Sequence, residues 1–381
     1  MLVPGDPVPS FFARSLTNPH YAFDSVAGRY VVLSFVGSGR ISGIGEFHAQ
    51  LHADGRLFDD AFASLFLVSN DPQDEADAVL RDRYPGIRTL WDQDWALARL
   101  FGCAHLTNQG GNRISLTTWI LDPGLRVLKV IPNEDPRTHY AAIRDCLAGL
   151  QSPAEDLESW APVLLVPNVL EPDLCRDLIA YCEEQGAQDS GYMKTDPRTG
   201  QTMMVVDHGH KRRSDCSIEA EPLRGALQAR VNRRLVPQIE RAFQFKVSRM
   251  ERYIVSRYDA ETGGHFRPHK DNTTLGTAHR RFAVSIGLNA EEYEGGDLRF
   301  PEFGPRTYRP PTGGAIVFSC SLLHEATPVT RGRRYAVLPF LYDEAAAKIR
   351  LENARHLQDE ELRRNVIASV TANPNARNAE G

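Results

Sequence analysis

Three side chains in the second half of this 381-residue chain are spaced to share one metal ion. His269 and Asp271 stand two apart in the stretch YDAETGGHFRPHKDN, 258 to 272, and His324 follows far downstream in LLHEATPVTRGRRYAVLPFL. Two imidazoles and one carboxylate on one face of a ferrous ion leave three coordination positions open. Oxygen-activating non-haem enzymes require that arrangement. An H-x-D pair occurs by chance in many chains, so the reading depends on what accompanies it. Here Arg334 follows His324 on what should be the next strand. Its planar guanidinium suits the distal carboxylate of a dicarboxylic keto acid whose other end chelates the metal.

These residues need a rigid frame. From Val247 the chain reads as strands at 247 to 258, 281 to 289, 296 to 300, 314 to 319 and 333 to 342, separated by Gly/Pro-rich turns. Such a series forms an antiparallel sandwich or jelly roll with helices packed outside it. Helices are expected at 172 to 186 and at 222 to 243, where Leu223, Leu227, Val231 and Leu235 recur on one face. Pro237 is placed to kink the second of them. After Asp343 a charged helical segment runs to about Val370, and ANPNARNAEG reads as a disordered tail.

The first half has a different texture. Short apolar runs at 30 to 36, 64 to 69 and 117 to 121 alternate with helical patterns such as DEADAVLRDRY, which implies an α/β layer with parallel strands. Residues 125 to 131 follow the turn signal Asp122-Pro123-Gly124 and read as a hairpin partner, and a helix near 138 to 150 closes the unit. QSPAEDLESW, 151 to 160, carries no apolar period and is the linker candidate. The expected organisation is therefore a domain at 1–150, a linker at 151–160, a second domain at 161–343, and a helical segment with its tail at 344–381.

A formal charge of -5 gives no broad attraction to phosphate backbones or anionic lipid, so neither nucleic acid nor membrane is an expected partner. The N-terminus lacks a basic region followed by an apolar run, which points to a cytoplasmic location. The six cysteines are widely spaced, without a CxxC pair, and read as reduced and mostly buried. Cys175 and Cys182, seven apart on an expected helix, could share a face.

From about 160 to 343 the chain resembles the prolyl-hydroxylase-like branch of the 2-oxoglutarate/Fe(II) oxygenases. The resemblance rests on RYD…GG.F..H.DN, RFAVSIGLN, YEGGDLRFPEFG, GGAIVF and H…PVT.G.RYA taken in order. It implies a double-stranded β-helix core with iron on His269, Asp271 and His324, and 2-oxoglutarate on Arg334. Tyr258 matches a tyrosine lining the cofactor or substrate side. Asn272 is a candidate for steadying the ligand loop, with a backbone cap as the alternative. The implied reaction consumes O2 and 2-oxoglutarate, releases succinate and CO2, and hydroxylates an unactivated C–H bond of a small-molecule or peptidyl, prolyl-type substrate. Ascorbate is the candidate reductant. The carboxylate of Asp271 argues against a halogenase, and Gly287 stands where some relatives have a tyrosine. His265, His279, His208 and His210 compete as ligands but read better as surface or substrate contacts.

Residues 4 to 150 resemble the peroxiredoxin branch of thioredoxin-like proteins through PGDPVPSFFARS, GRYVVLSFVGS, LVSNDPQDEADA, TLWDQDWALARLFG and WILDPGLRVLKVIP. The resemblance implies a peroxide-reacting cysteine just after the first core strand. Residues 37 to 46 contain none, so this domain is expected to be catalytically silent, with a homodimer one option. Two other readings stay open: an iron- or oxygen-responsive binding module, and a thiol-peroxidase-type redox protein working through the N-terminal domain, in which Cys103 reads as a buried structural residue.

Overall fold

Strands Tyr30–Gly37 and Ala63–Ser69 are almost wholly apolar and buried along nearly their whole length, as strands covered on both faces must be. In the computed structural model they pair in parallel, and Ala63–Ser69 pairs in parallel with Ile87–Trp91. Thr117–Leu121 runs antiparallel to Tyr30–Gly37 and forms a hairpin with Val127–Pro132. Helices Ile44–Ala53 and Pro136–Ala148 cover one face, where Phe47, Leu51 and Ile143 meet Val32, Leu65 and Ile120. On the same strands, Phe35 and Trp119 belong to a cluster of rings with Phe101, in which Trp119 meets both phenylalanines edge-on.

The structure describes residues 1–54, 56–106, 111–152 and 159–371, so most of the expected linker and the tail at 372–381 lie outside the described residues. By contacts the chain divides into one unit of Met1–Ala161 with Phe300–Arg306, and another of Pro162–Arg299 with Thr307–Gly381. No described helix is long and apolar enough to cross a membrane.

DEADAVLRDRY is not one helix. The helix Pro72–Ala76 stops after one turn and Ala78 turns left-handed, at φ 49°. Asp74 is fully buried, and its carboxylate accepts hydrogen bonds from the Gly39 amide at 2.7 Å and the hydroxyls of Ser69 at 2.7 Å and Ser38 at 3.2 Å. Side-chain competition of this kind outweighs a helical period.

In the second unit two antiparallel sheets matter. The larger runs, in spatial order, Leu164–Val166, Ala315–Ser319, Phe282–Gly287, Arg333–Val337, Ile254–Asp259, Ser214–Ser217 and Gln188–Asp189, with Arg249–Glu251 and Phe340–Tyr342 joined beside it. The smaller runs Lys211–Arg212, His265–His269, His324–Ala326, Leu298–Arg299 and Thr307–Tyr308. Strand alternation sorts the larger sheet: Val255, Val284, Ile286 and Val337 join a core with helix residues Leu178 and Leu227, while Tyr258, Ser285 and Arg334 occupy the alternate positions.

The expected helix at 172 to 186 is Pro172–Gln185, and Cys175 and Cys182 both face that core. The one at 222 to 243 is two α-helices, Glu221–Arg230 and Val236–Phe243, joined by a π-helical turn at Val231–Leu235. Pro237 has no N–H to continue an α-helical ladder, and the widened turn absorbs that break while keeping Leu227, Val231, Leu235 and Ile239 buried together.

Candidate metal centre

Strand His265–His269 is interior to the small sheet, yet it contains Pro268, which cannot donate to a ladder. The register against His324–Ala326 accordingly shifts between Phe266 and His269. The shift makes His269 and His324 direct cross-strand partners, with ring centroids 4.3 Å apart. Asp271 lies just past the strand end, where its amide donates to the Cys320 carbonyl at 3.0 Å. His269 Nε2 lies 3.7 Å from Asp271 Oδ1, and His324 Nε2 lies 3.3 Å from Oδ2. The three ligand atoms all fall within 4.8 Å of one another, the sole such grouping of His, Cys, Asp and Glu among the described residues.

The tautomers are set from behind. His269 Nδ1 donates to the Arg267 carbonyl at 2.7 Å and His324 Nδ1 to the Leu322 carbonyl at 3.0 Å, so both Nε2 lone pairs face inward. Burial, reinforced by His324, pushes the His269 imidazolium well below its usual range, which leaves the neutral ring that a metal needs. Burial opposes ionisation of Asp271, but His324 and His269, when protonated, and the Arg280 guanidinium outweigh it and hold the carboxyl below its ordinary value. Neutral imidazoles and an anionic carboxylate form the donor set that suits Fe(II).

Arg334 and Tyr258 stand opposite each other across strands Arg333–Val337 and Ile254–Asp259, and both line the cavity that holds the triad. The Arg334 guanidinium lies 4.9 Å from the Tyr258 ring centroid and donates from Nη2 to Ser285 Oγ at 3.0 Å. Arg334 is 4% exposed, and its Nη1 is buried without a hydrogen-bond partner. A buried, unpaired guanidinium nitrogen in a metal-bearing cavity fits an anionic co-ligand. Ser285 shares a strand face with Gly287 and brings a hydroxyl to Arg334, whereas a Cβ at Gly287 would abut Pro310 and Pro311.

Asn272 donates from Nδ2 to Ser321 Oγ at 2.8 Å, tying the loop after Asp271 to the loop before His324. Arg280, unremarkable in sequence, donates to the Asp271 carbonyl at 3.3 Å and to Glu251 Oε1 at 2.7 Å. The competing histidines are placed elsewhere. His279 pairs with Glu251 and His208 with Asp189, His265 Nδ1 bonds the Gly263 carbonyl, and His210 packs edge-on against Phe266. In the N-terminal unit, Cys103 is 1% exposed and burial pushes its thiol up to about 12, so it presents no thiolate.

Residues 253–342 match the model of the 2OG-Fe(II) oxygenase superfamily. Among curated relatives, a PKHD-type hydroxylase of Synechococcus sp. (strain JA-2-3B'a(2-13)) is 29% identical over 129 residues, 31% of this chain and 57% of that protein. A PKHD-type hydroxylase of Cupriavidus metallidurans is 36% identical over 92 residues, 22% of this chain and 40% of the relative. The chain thus spans about half the length of the curated relatives it matches. Among solved structures, peroxidoxin BcpB of Mycobacterium tuberculosis is 21% identical with a TM-score of 0.35, covering 40% of this chain and 100% of that one. The viral collagen prolyl hydroxylase of Paramecium Bursaria Chlorella virus-1, in its 2OG complex, is 15% identical with a TM-score of 0.35, covering 48% and 96%. The match to the 2OG-Fe(II) oxygenase superfamily thus covers the stretch that holds His269, Asp271 and His324, and it implies Fe(II), 2-oxoglutarate and O2 as cofactors.

Proposed function

We propose that the chain is an Fe(II)- and 2-oxoglutarate-dependent dioxygenase that hydroxylates an unactivated C–H bond of an amino-acid-type or peptidyl substrate, releasing succinate and CO2. One observation carries the proposal: the His269, Asp271, His324 grouping and the partnerless Nη1 of Arg334 meet in one cavity. The catalytic part is the region 161–343, with the two sheets acting as the halves of a double-stranded β-helix. The hydroxylase names of the relatives support the outcome, and the amino-acid-type substrate rests on that likeness.

In this reading His269 and His324 would offer their Nε2 atoms and Asp271 a carboxylate oxygen to iron. Arg334 receives the distal carboxylate of 2-oxoglutarate, and Ser285 fixes the guanidinium plane. Tyr258 packs on that guanidinium and, with Phe266, Phe318 and Leu298, forms an apolar side of the cavity that excludes water. Bound iron and keto acid supply the oxidising power, and the chain supplies orientation. Asn272 and Arg280 hold the Asp271 loop in register with the His324 loop. The N-terminal region, 1–150, is a non-catalytic partner in this scheme: the loop after its first core strand has no cysteine and Cys103 is protonated.

The test is an anaerobic titration of the Fe(II)-loaded protein with 2-oxoglutarate, watching for the visible metal-to-ligand charge-transfer band of keto-acid chelation. The band should appear, and it should vanish in Asp271→Ala. Its absence with iron demonstrably bound would move the assignment to a binding module.

A further inference from the structure

Two more arginines, Arg213 and Arg252, line the cavity that holds the triad and Arg334, and nothing above uses them. Both converge on Asp215. Arg213 Nη2 donates to Asp215 Oδ2 at 2.7 Å and Arg252 Nη2 to the same oxygen at 3.1 Å. Hydroxyls of Ser190 and Ser256 donate to that carboxylate at 2.5 and 2.7 Å. The Arg213 side chain is 3% exposed and its Nε has no hydrogen-bond partner.

Arg252 joins strands Arg249–Glu251 and Ile254–Asp259 with φ at 66°, in the left-handed region that a long side chain occupies only where its surroundings enforce it. The Arg252 guanidinium lies 5.5 Å from the Phe340 ring centroid, on a ring that also carries Arg280 at 3.9 Å.

The charges of the loaded cavity make the pair more telling. A ferrous ion and the two carboxylates of 2-oxoglutarate cancel, as do Asp271 and Arg334. Arg213 and Arg252 then share one carboxylate, which leaves one positive charge in the wall without a counter-ion. Lys211, whose Nζ donates to Ser190 Oγ at 2.8 Å beside Asp215, is pushed down to about 6 by burial and Arg213 and is largely neutral at pH 7. The other buried carboxylate nearby, Glu251, is already engaged by His279, Arg280 and Arg350. Two guanidinium groups on one carboxylate leave excess positive charge beside the cavity, and an anion bound there balances it.

We propose that Arg213 and Arg252 receive a carboxylate of the substrate, so that the molecule hydroxylated is a free amino-acid-type acid and not a residue inside a peptide chain. A main-chain carbonyl at that point would bring no charge to the pair. The inference rests on the dioxygenase reading above and narrows its substrate.

The test follows succinate release by the full Fe(II)-loaded chain with 2-oxoglutarate and O2, in the presence of pooled free L-amino acids or the same pool as C-terminal amides. The free acids should stimulate release and the amides should not. In Arg252→Met, which keeps the Arg213–Asp215 pair intact, the half-saturating concentration of the responding acid should rise about tenfold or more, with Arg252→Lys between. The midpoint of the anaerobic 2-oxoglutarate titration should stay unchanged in the same variants. A raised midpoint would assign the pair to the keto acid and overturn the proposal. Amides stimulating as well as acids, or no acid responding while the charge-transfer band is normal, would overturn it too. Loss of the band in the parent protein would instead count against the dioxygenase reading.

Discussion

Replacing Arg334 by methionine removes the one cation that the proposed scheme gives to 2-oxoglutarate while keeping an unbranched apolar stem in the cavity. Nη2 is engaged with Ser285 Oγ at 3.0 Å and Nη1 has no partner, so a carboxylate gains one full charge-assisted hydrogen bond and a share of a second. At about 1.5 to 3 kcal/mol per hydrogen bond to a charged group, the loss is about 3 kcal/mol. With about 1.4 kcal/mol to each factor of ten, keto-acid binding should weaken by about two orders of magnitude. Iron content should not change, because the triad sits on other strands. The assay is the anaerobic titration followed by the visible charge-transfer band, with iron measured on the same sample. An unchanged midpoint in Arg334→Met would mean that the guanidinium is structural and that the keto acid lies elsewhere.

His324→Ala leaves two ligands and should lower bound iron far below one per chain by elemental analysis; parental stoichiometry would refute the triad. Asn272→Ala should weaken iron about tenfold in competition with a Fe(II) chelator, since the loop tie to Ser321 is lost; no change would reduce that hydrogen bond to a surface contact. His139 in the N-terminal unit is buried, 2.7 Å from Thr118 Oγ1, and burial pushes its imidazole down to about 4. Its folded value lies below the unfolded value of about 6.5, so stability is complete above pH 6.5 and falls as pH drops towards 4, by up to about 3 kcal/mol. Denaturant unfolding across that window should show a steeper fall in the parent than in His139→Gln; equal slopes would contradict it.

The triad and Arg334 were legible in the sequence because each belongs to a short motif whose residue types, spacing and order can be read locally. Tyr258 entered through the family resemblance alone, and the structure sets it across from Arg334. Ser285 was within reach, since it lies two residues before Gly287 and so shares its strand face. Arg213 and Arg252 were not. What brings them together is Asp215 and the pairing of strand Ser214–Ser217 with Ile254–Asp259, a contact distant in sequence that leaves no local period. The strand Ile87–Trp91 was hidden for a different reason: it is short and runs almost directly into the helix Ala96–Phe101. The period of DEADAVLRDRY misled because Asp74 serves the loop at Ser38 and Gly39 rather than a helix face.

That last cluster limits how the N-terminal unit could ever be re-equipped. A thiol placed by Ser38→Cys would stand where the present hydroxyl donates to both Asp71 and Asp74, at 2.8 and 3.2 Å, and two carboxylates stabilise the protonated sulfur. The Gly39 amide, a donor that could have favoured a thiolate, is already held by Asp74. The Arg40 amide donates to the same oxygen at 3.1 Å and the Arg40 guanidinium faces both carboxylates, so a sulfur at this position would meet opposing charges, and freeing it from the carboxylates would mean dismantling the contacts that shape the loop.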